Sequence, residues 1–337
     1  MTKAREAKAW AFENLRGLYV SPLTIFHDDD TLDEQGLAFN VDYLVRIGVT
    51  GLGYGHGEPW SMSLQERKTS AEHFLKAVGG RVKAYVHTFD HSAPDTADLS
   101  NHAAAHGADL VMIEPPYEWA KSETMIYQFY KYVADNTDVG IILLNTPHSG
   151  RIMSPDLLDR LADIPAVCAI KDGINDWTTA RSHWEKVHDR IVFSLPREEE
   201  ALACLMYLKQ QVQLGTSAVF CLQTQDWKPV KRYVELAYEG RYEDAFKIWA
   251  ALGPLRDLWS SMHAVLWSAN AEHPVVWAKA WCEVMGMKGG KVRAPGRNLE
   301  PEVKAEFQKR IRETLARTQA DPVFHSAPFL AEAVATR

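Results

Sequence analysis

Lys171 stands in the segment VCAIKDG (167–173), directly after four apolar or small residues. An ammonium in such surroundings is poorly hydrated, and desolvation disfavours its charged form and lowers its pKa from about 10.4. Brought to about 7–8, the amine is a nucleophile at neutral pH and can condense with a carbonyl compound to give a Schiff base. The alternative is a structural ion pair with Asp172 or another core carboxylate. A second stretch, TGLGYGHGEPWSMSLQER (50–67), has glycine at positions 51, 53, 55 and 57, with His56 and Glu58 among them. A dinucleotide fingerprint requires G-x-G-x-x-G, and neither register fits: counting from Gly51 the third glycine position is His56, and counting from Gly53 it is Glu58. The composition is that of a loop that lets a small ligand approach the backbone.

The elements that must position these residues are legible as eight short apolar runs alternating with segments of helical period. The runs are 17–22, 50–55, 82–89, 109–116, 140–147, 167–173, 191–196 and 215–222. Amphipathic stretches such as DEQGLAFNVDYLVRIG lie between them, and the Ser-Pro of SPDLLDRLADI makes a helix start. Strands that are apolar on both faces and separated by helices predict an α/β fold, a (β/α)₈ TIM barrel. Residues 1–16 read as an N-terminal helical extension, 17–226 as the barrel, and 227–337 as a C-terminal helical domain and tail. In such a barrel chemistry gathers at the C-terminal strand ends. Those ends carry His56, His87, Glu114 to Glu118, Asn145 to His148, Lys171, Arg197 and Ser217 to Gln223.

The net charge of −7 and the scattered Lys and Arg residues exclude a basic field for nucleic acid, which leaves a small molecule as the expected partner. Cys168, Cys204, Cys221 and Cys282 form no CxxC or Cys/His pattern and read as reduced core residues. No apolar run reaches the roughly 20 residues of a membrane span, and the start of the chain is mixed in charge rather than signal-like, so a cytoplasmic protein is expected.

Four ordered segments resemble the dihydrodipicolinate synthase and N-acetylneuraminate lyase family of class I aldolases: GHGEPWSMSLQER, LNTP, SPDLLDRLADIPAVCAIKD and WAKAWCEVMGMKGGKVRAPGRNL. The resemblance runs from about Gly17 to Ile311. It implies the barrel with its C-terminal helices, Lys171 as the Schiff-base lysine, no cofactor and no metal, and a homotetramer built as a dimer of dimers. The tryptophans of the C-terminal helices, Trp249, Trp259, Trp267, Trp277 and Trp281, are more than one small helical domain is expected to bury and point the same way. The implied activity is that of a lyase, an aldolase or hydro-lyase, acting on a 2-oxo acid such as pyruvate or its aldol adduct.

The sequence also departs from the family's pattern. Leu144 stands where the family has a proton-relaying tyrosine, Gly55 where it has a hydroxyl residue, and Glu118 in place of a second tyrosine. These departures argue against the name-giving synthase activity. Proton transfer would then fall to His56 first, then Glu118, with His148 a further candidate. The substrate's carboxylate would lie against Gly55 and Gly57, with Asn145, Thr146, Arg151, Arg197 and Ser217 as further binding residues. Arg151 substitutes for an arginine of the family's strand-five motif, Glu58 organises the loop, and Trp60 and Trp119 form an apolar wall. Two other readings remain: a non-catalytic 2-oxo acid or sugar-acid binding protein, and a metal-dependent enzyme using His56, Glu58, His87 and Glu114. His102 and His106, one helical turn apart, are expected on an outer helix.

Overall fold

The computed structural model describes residues 3–55, 57–116, 122–215, 218–263 and 273–330. Among them eight strands, β1 Gly17–Val20, β2 Gly51–Tyr54, β3 Lys83–His87, β4 Leu110–Ile113, β5 Gly140–Asn145, β6 Val167–Asp172, β7 Val192–Ser194 and β8 Val212–Leu214, form one parallel sheet in the order β7-β6-β5-β4-β3-β2-β1-β8. The β7–β8 seam lacks ladder bonds but is bridged by the Leu214 amide, which donates to Ser194 Oγ at 2.9 Å. The result is a nearly closed (β/α)₈ barrel. Around it lie α1 Ala7–Asn14, α2 Glu34–Arg46, α3 Leu64–Val78, α4 Ala93–Ala105, α5 Glu123–Asp135, α6 Pro155–Leu161, α7 Trp177–Val187 and α8 Ala201–Tyr207.

The helix starts follow from local chemistry. Asp33, Ser63, Ser92, Ser122, Ser154 and Asp176 each accept a hydrogen bond from a backbone amide in the first turn of the helix they precede. Ser63 and Glu66 complete a reciprocal capping box, so the end of the glycine-bearing loop is fixed within one residue.

The barrel interior explains half of the alternating glycines. Gly51 and Gly53 face inward on β2, where a Cβ would stand 2.0 Å from Cε1 of Tyr19 and 2.1 Å from Cζ of Tyr85. The tyrosine rings occupy the volume that side chains on β2 would need. These two glycines therefore serve packing, and the ligand-loop reading is left to Gly55 and Gly57. The floor is closed by α1 and the residue after it: Ala7, Ala11 and Leu15 belong to the same inner cluster as Tyr19, Tyr85, Leu110, Met112, Ile142 and Leu144.

The eighth strand lies earlier than its apolar run suggested. It is Val212–Leu214, and the run itself forms a short buried helix, α9 Ala218–Leu222. A segment apolar on every side suits either a buried strand or a buried helix, and β8 itself is masked in the sequence by Gln213, which faces outward and donates to the buried Glu198 at 3.3 Å. Beyond the barrel come α10 Pro229–Tyr238, α11 Tyr242–Ala251, α12 Gly253–His263, α13 Val275–Val284, α14 Pro301–Gln319 and α15 Ala327–Leu330. The segment after α14 is specified by packing: Phe324 is buried edge-on against Trp227, and Arg232 donates to the Pro328 carbonyl at 2.7 Å.

The C-terminal helices bury some of their tryptophans and leave others partly exposed. Trp259 and Trp281 are buried and meet edge-to-face at 5.8 Å, Trp277 packs on Phe307 at 4.8 Å, and Trp249 lies under the Arg256 guanidinium. Trp267 lies outside the described residues. Trp259 and Trp281 are covered because α12 and α13 pack on α14 and on α9, whereas Trp249 and Trp277 keep part of their surface exposed. No helix among the described residues is long and apolar enough to cross a membrane.

Replacing Gly51 by Ala should cost about 1–3 kcal/mol of stability through overpacking against Tyr19. Urea denaturation should show the loss, and combining G51A with Tyr19→Leu should recover part of it.

Candidate active site

The parallel ladder sets Leu144 of β5, Lys171 of β6 and Ser194 of β7 side by side. Leu144 belongs to the inner cluster, so Lys171 points the same way, into the barrel near its C-terminal mouth. Lys171 is only 5% exposed, and among the described residues no carboxylate lies within ion-pairing distance of its ammonium group. Burial alone lowers its pKa to about 7. The free amine is therefore accessible near neutral pH.

Asp172, one residue on, faces the opposite side of the sheet. Its carboxylate accepts from Asn145 Nδ2 at 2.7 Å and lies 2.9 Å from Nδ1 of His183 on α7. Asn145 uses its other end to accept from the Met153 amide at 2.9 Å. Both polar ends of Asn145 are thus engaged behind the strand. This corrects its assignment as a substrate-binding residue: on an alternating strand, Asn145 and Asp172 must face away from the interior if Leu144 and Lys171 face into it. The same geometry removes the Lys171–Asp172 ion pair. The buried Asn145–Asp172–His183 set holds the ends of β5 and β6 in register and aims Lys171 inward.

A second titratable pair lies on the neighbouring strands. His87 ends β3 and aligns with Met112 of β4; Glu114 follows Ile113, whose ladder partner is Leu143. Nε2 of His87 and Oε1 of Glu114 are 3.8 Å apart, and both side chains are largely buried. Burial, assisted by the Arg67 charge, lowers His87 to about 3, while burial raises Glu114 to about 7 against the pull of Arg67. The Arg67 guanidinium is itself engaged by Asp90 at 3.2 Å and the Phe89 carbonyl at 2.5 Å. Burial thus favours the uncharged imidazole of His87 and the protonated carboxyl of Glu114 over their charged forms. The sequence signal for Glu114 was a carboxylate closing an apolar run, LVMIE, which had been weighed only as a metal ligand.

The remaining expected residues are dispersed. Gly55 holds φ +94°, and its backbone lies so close to β3 that a Cβ would stand 3.0 Å from the His87 carbonyl oxygen. Gly57 has ordinary contacts with the Thr24 backbone and Leu23, and Thr146 is buried in the turn after β5. Arg151 reaches Glu123 at 3.3 Å on the surface, and Arg197 donates to Asn175 at 2.8 Å beside Glu199 and Glu200. His56, Glu118, Trp119 and Ser217 lie outside the described residues, as does the side chain of His148. Trp60 is partly exposed with its ring 4.8 Å from that of His273.

Glu58 is taken up by a buried ion pair with Lys279 of α13 at 2.5 Å, which ties the loop after β2 to the C-terminal helices. It is thereby removed from the metal set proposed with His87 and Glu114. His102 and His106, at the end of α4, instead meet Glu72 of α3 on the outer wall, at 2.9 and 4.0 Å.

The fold is thus a parallel eight-stranded (β/α)₈ barrel with a desolvated lysine inside its C-terminal mouth. The model of the dihydrodipicolinate synthetase family matches residues 14–314, and the chain belongs to that family. It is 35% identical over 163 residues to the putative 2-dehydro-3-deoxy-D-gluconate aldolase YagE of Escherichia coli K12, a match that spans about half of each chain, 47% of this one and 54% of the other. It is 27% identical to the N-acetylneuraminate lyase of Rhizobium meliloti over 90% of this chain and 96% of that protein. The fold is shared with the crystal structure of YagE in complex with pyruvate, with a TM-score of 0.76 at 23% identity over 89% of this chain and 98% of that one.

Lys171 should give the protein a distinctive pH response. With a folded pKa of about 7 against 10.5 when solvated, the unfolded chain binds more protons between these values, so this group makes stability rise with pH across that window. Its burial penalty is present in full below about pH 7. Lys171→Met should therefore stabilise the protein at pH 7, on the order of 3 kcal/mol, with the advantage vanishing toward pH 10.5. Urea denaturation at the two pH values measures it; a variant less stable than the parent at pH 7 would mean the amine is ion-paired.

Proposed function

We propose that the chain is a lyase, an aldolase or hydro-lyase, that acts on a 2-oxo acid through an imine at Lys171. The observation that carries this reading is the amine itself: desolvated, inside the barrel mouth, and unprotonated in part at neutral pH. Its Nζ adds to the C2 carbonyl, and loss of the former carbonyl oxygen as water leaves a protonated imine. That cation withdraws electrons from C3. In a 4-hydroxy-2-oxo acid it lets the C3–C4 bond break, releasing an aldehyde and leaving an enamine on the lysine; protonation at C3 and hydrolysis then return the amine and the shortened 2-oxo acid. Loss of a C3 proton and the C4 hydroxide from the same imine is the dehydration alternative. The relatives named as aldolase and lyase, and the pyruvate held by YagE, support this substrate class.

For the substrate's carboxylate the reading keeps Gly55, Gly57, Thr146 and Ser217. Leu144, next to Lys171 on the ladder, has no proton to give, so the name-giving synthase reaction is not the one proposed.

The test is reductive trapping. Protein treated with borohydride in the presence of pyruvate should gain the mass of one reduced adduct, located on Lys171 by peptide mapping and absent from Lys171→Met. An unmodified mass, or an adduct confined to another lysine, would overturn the mechanism.

A further inference from the structure

The imine chemistry needs a proton donor and acceptor beside the amine. We propose that Glu114 is that group, delivering a proton to the departing oxygen when the imine forms on Lys171 and then removing one from C3 of the bound 2-oxo acid. This rests on the reading of Lys171 as the imine-forming residue.

β5 alone separates β4 from β6, and strands lie about 4.8 Å apart, so the backbones carrying Glu114 and Lys171 stand about 10 Å from each other. Both side chains issue from the inner face of the same end of the barrel. Met112, two residues before Glu114, and Leu144, beside Lys171, belong to the inner cluster. The carboxyl and the amine therefore approach the space over Leu144 from its two sides. Leu144 leaves that space apolar and occupies no hydrogen-bonding position in it.

The surroundings fit an acid that changes charge during a cycle. The groups facing Glu114 are His87 on β3 at 3.8 Å, Arg67 on α3 and Tyr130 on α5, and His87 in turn feels the charge of Lys171. Arg67 is engaged by Asp90 and the Phe89 carbonyl, so it tempers the carboxyl without making a tight pair with it. Tyr130 donates to the Ile113 carbonyl at 2.9 Å, pinning the strand end from which Glu114 projects. His87, held neutral by burial, adds no charge. A protonated carboxyl in such a site can donate at neutral pH, as a solvated one cannot.

The charges balance through the cycle. A neutral amine and a neutral carboxylic acid enter. The nitrogen adds to C2 and, with its own proton passed to oxygen and the Glu114 proton added, that oxygen leaves as water. The product is a protonated imine facing a carboxylate, an ion pair in place of two neutral groups. Glu114 then takes the C3 proton, the electrons flow to nitrogen, and enamine and carboxylic acid are both neutral again.

The experiment is exchange of the pyruvate methyl protons in D₂O, followed by proton NMR, run beside borohydride trapping on wild-type protein, Glu114→Gln and Lys171→Met. Glu114→Gln should still be trapped at Lys171 at equilibrium yet exchange about 10²–10⁴-fold more slowly, the span expected for a positioned acid/base. Lys171→Met should lose both. Exchange at the wild-type rate in Glu114→Gln would overturn the proposal and leave the imine reading intact; loss of trapping together with exchange would assign Glu114 to binding and overturn it as well. Absence of trapping in the wild type would remove the imine reading and the proposal with it. Infrared difference spectra of the wild type give an answer independent of the variant's folding: a protonated-carboxyl band should be present without pyruvate and diminish when pyruvate binds, and a band unchanged by pyruvate would overturn the proposal.

Discussion

Burial of one primary amine inside a barrel wall is the constraint on which the candidate site depends. Lys171 cannot be solvated there and has no carboxylate partner among the described residues, so the only economical response is loss of its proton. The chain pays for reactivity with stability, and the rest of the mouth is arranged so that the amine cannot escape to water. The Asn145–Asp172–His183 set fixes the strand ends from behind, and the seam between β7 and β8 is held by the hydroxyl of the ladder neighbour Ser194. A lysine on a looser strand end would turn outward, recover its hydration and cease to be a nucleophile at neutral pH.

Other buried charges follow a different rule. Glu58 and Lys279 neutralise each other, with Lys279 also donating to the Lys291 carbonyl at 2.5 Å, and they join the barrel to α13. Glu198 accepts from Tyr233 and Gln213 and faces Arg256, joining β8 to α10 and α12. In each case a partner of opposite charge and further hydrogen bonds offset the desolvation, the condition under which buried ions persist. Among the described residues Lys171 has no such partner and Glu114 has only His87 at 3.8 Å and the charge of Arg67, and buried groups whose pKa values are displaced toward neutrality are enriched at functional sites.

The alternation of strand residues accounts for most of how the site is composed. Leu144 and Lys171 face in, while Asn145 and Asp172 face out. Each adjacent pair divides into one residue for chemistry or inner packing and one for holding the strand. The inward glycines of β2 obey the same geometry, yielding their volume to Tyr19 and Tyr85. Only at Gly55, beyond the strand and at positive φ, does the glycine serve a backbone turn at the mouth.

The sequence by itself determined the barrel, because strands apolar on both faces between capped amphipathic helices have few other ways to bury themselves. It also singled out Lys171, since a lysine ending an apolar strand is anomalous whatever surrounds it. It misplaced β8, because an apolar run without alternation does not distinguish a buried helix from a buried strand, and three residues containing an outward glutamine give little signal. Tertiary structure alone decided that Asn145 faces Asp172, that Glu58 is taken by Lys279, that Trp259 and Trp281 are buried while Trp249 and Trp277 are only partly so, and that Glu114 sits beside His87. Each of these depends on which face of an element meets which neighbour far away in sequence. Periodicity gives the faces of one element, whereas the partner across the gap is fixed only when the whole barrel closes.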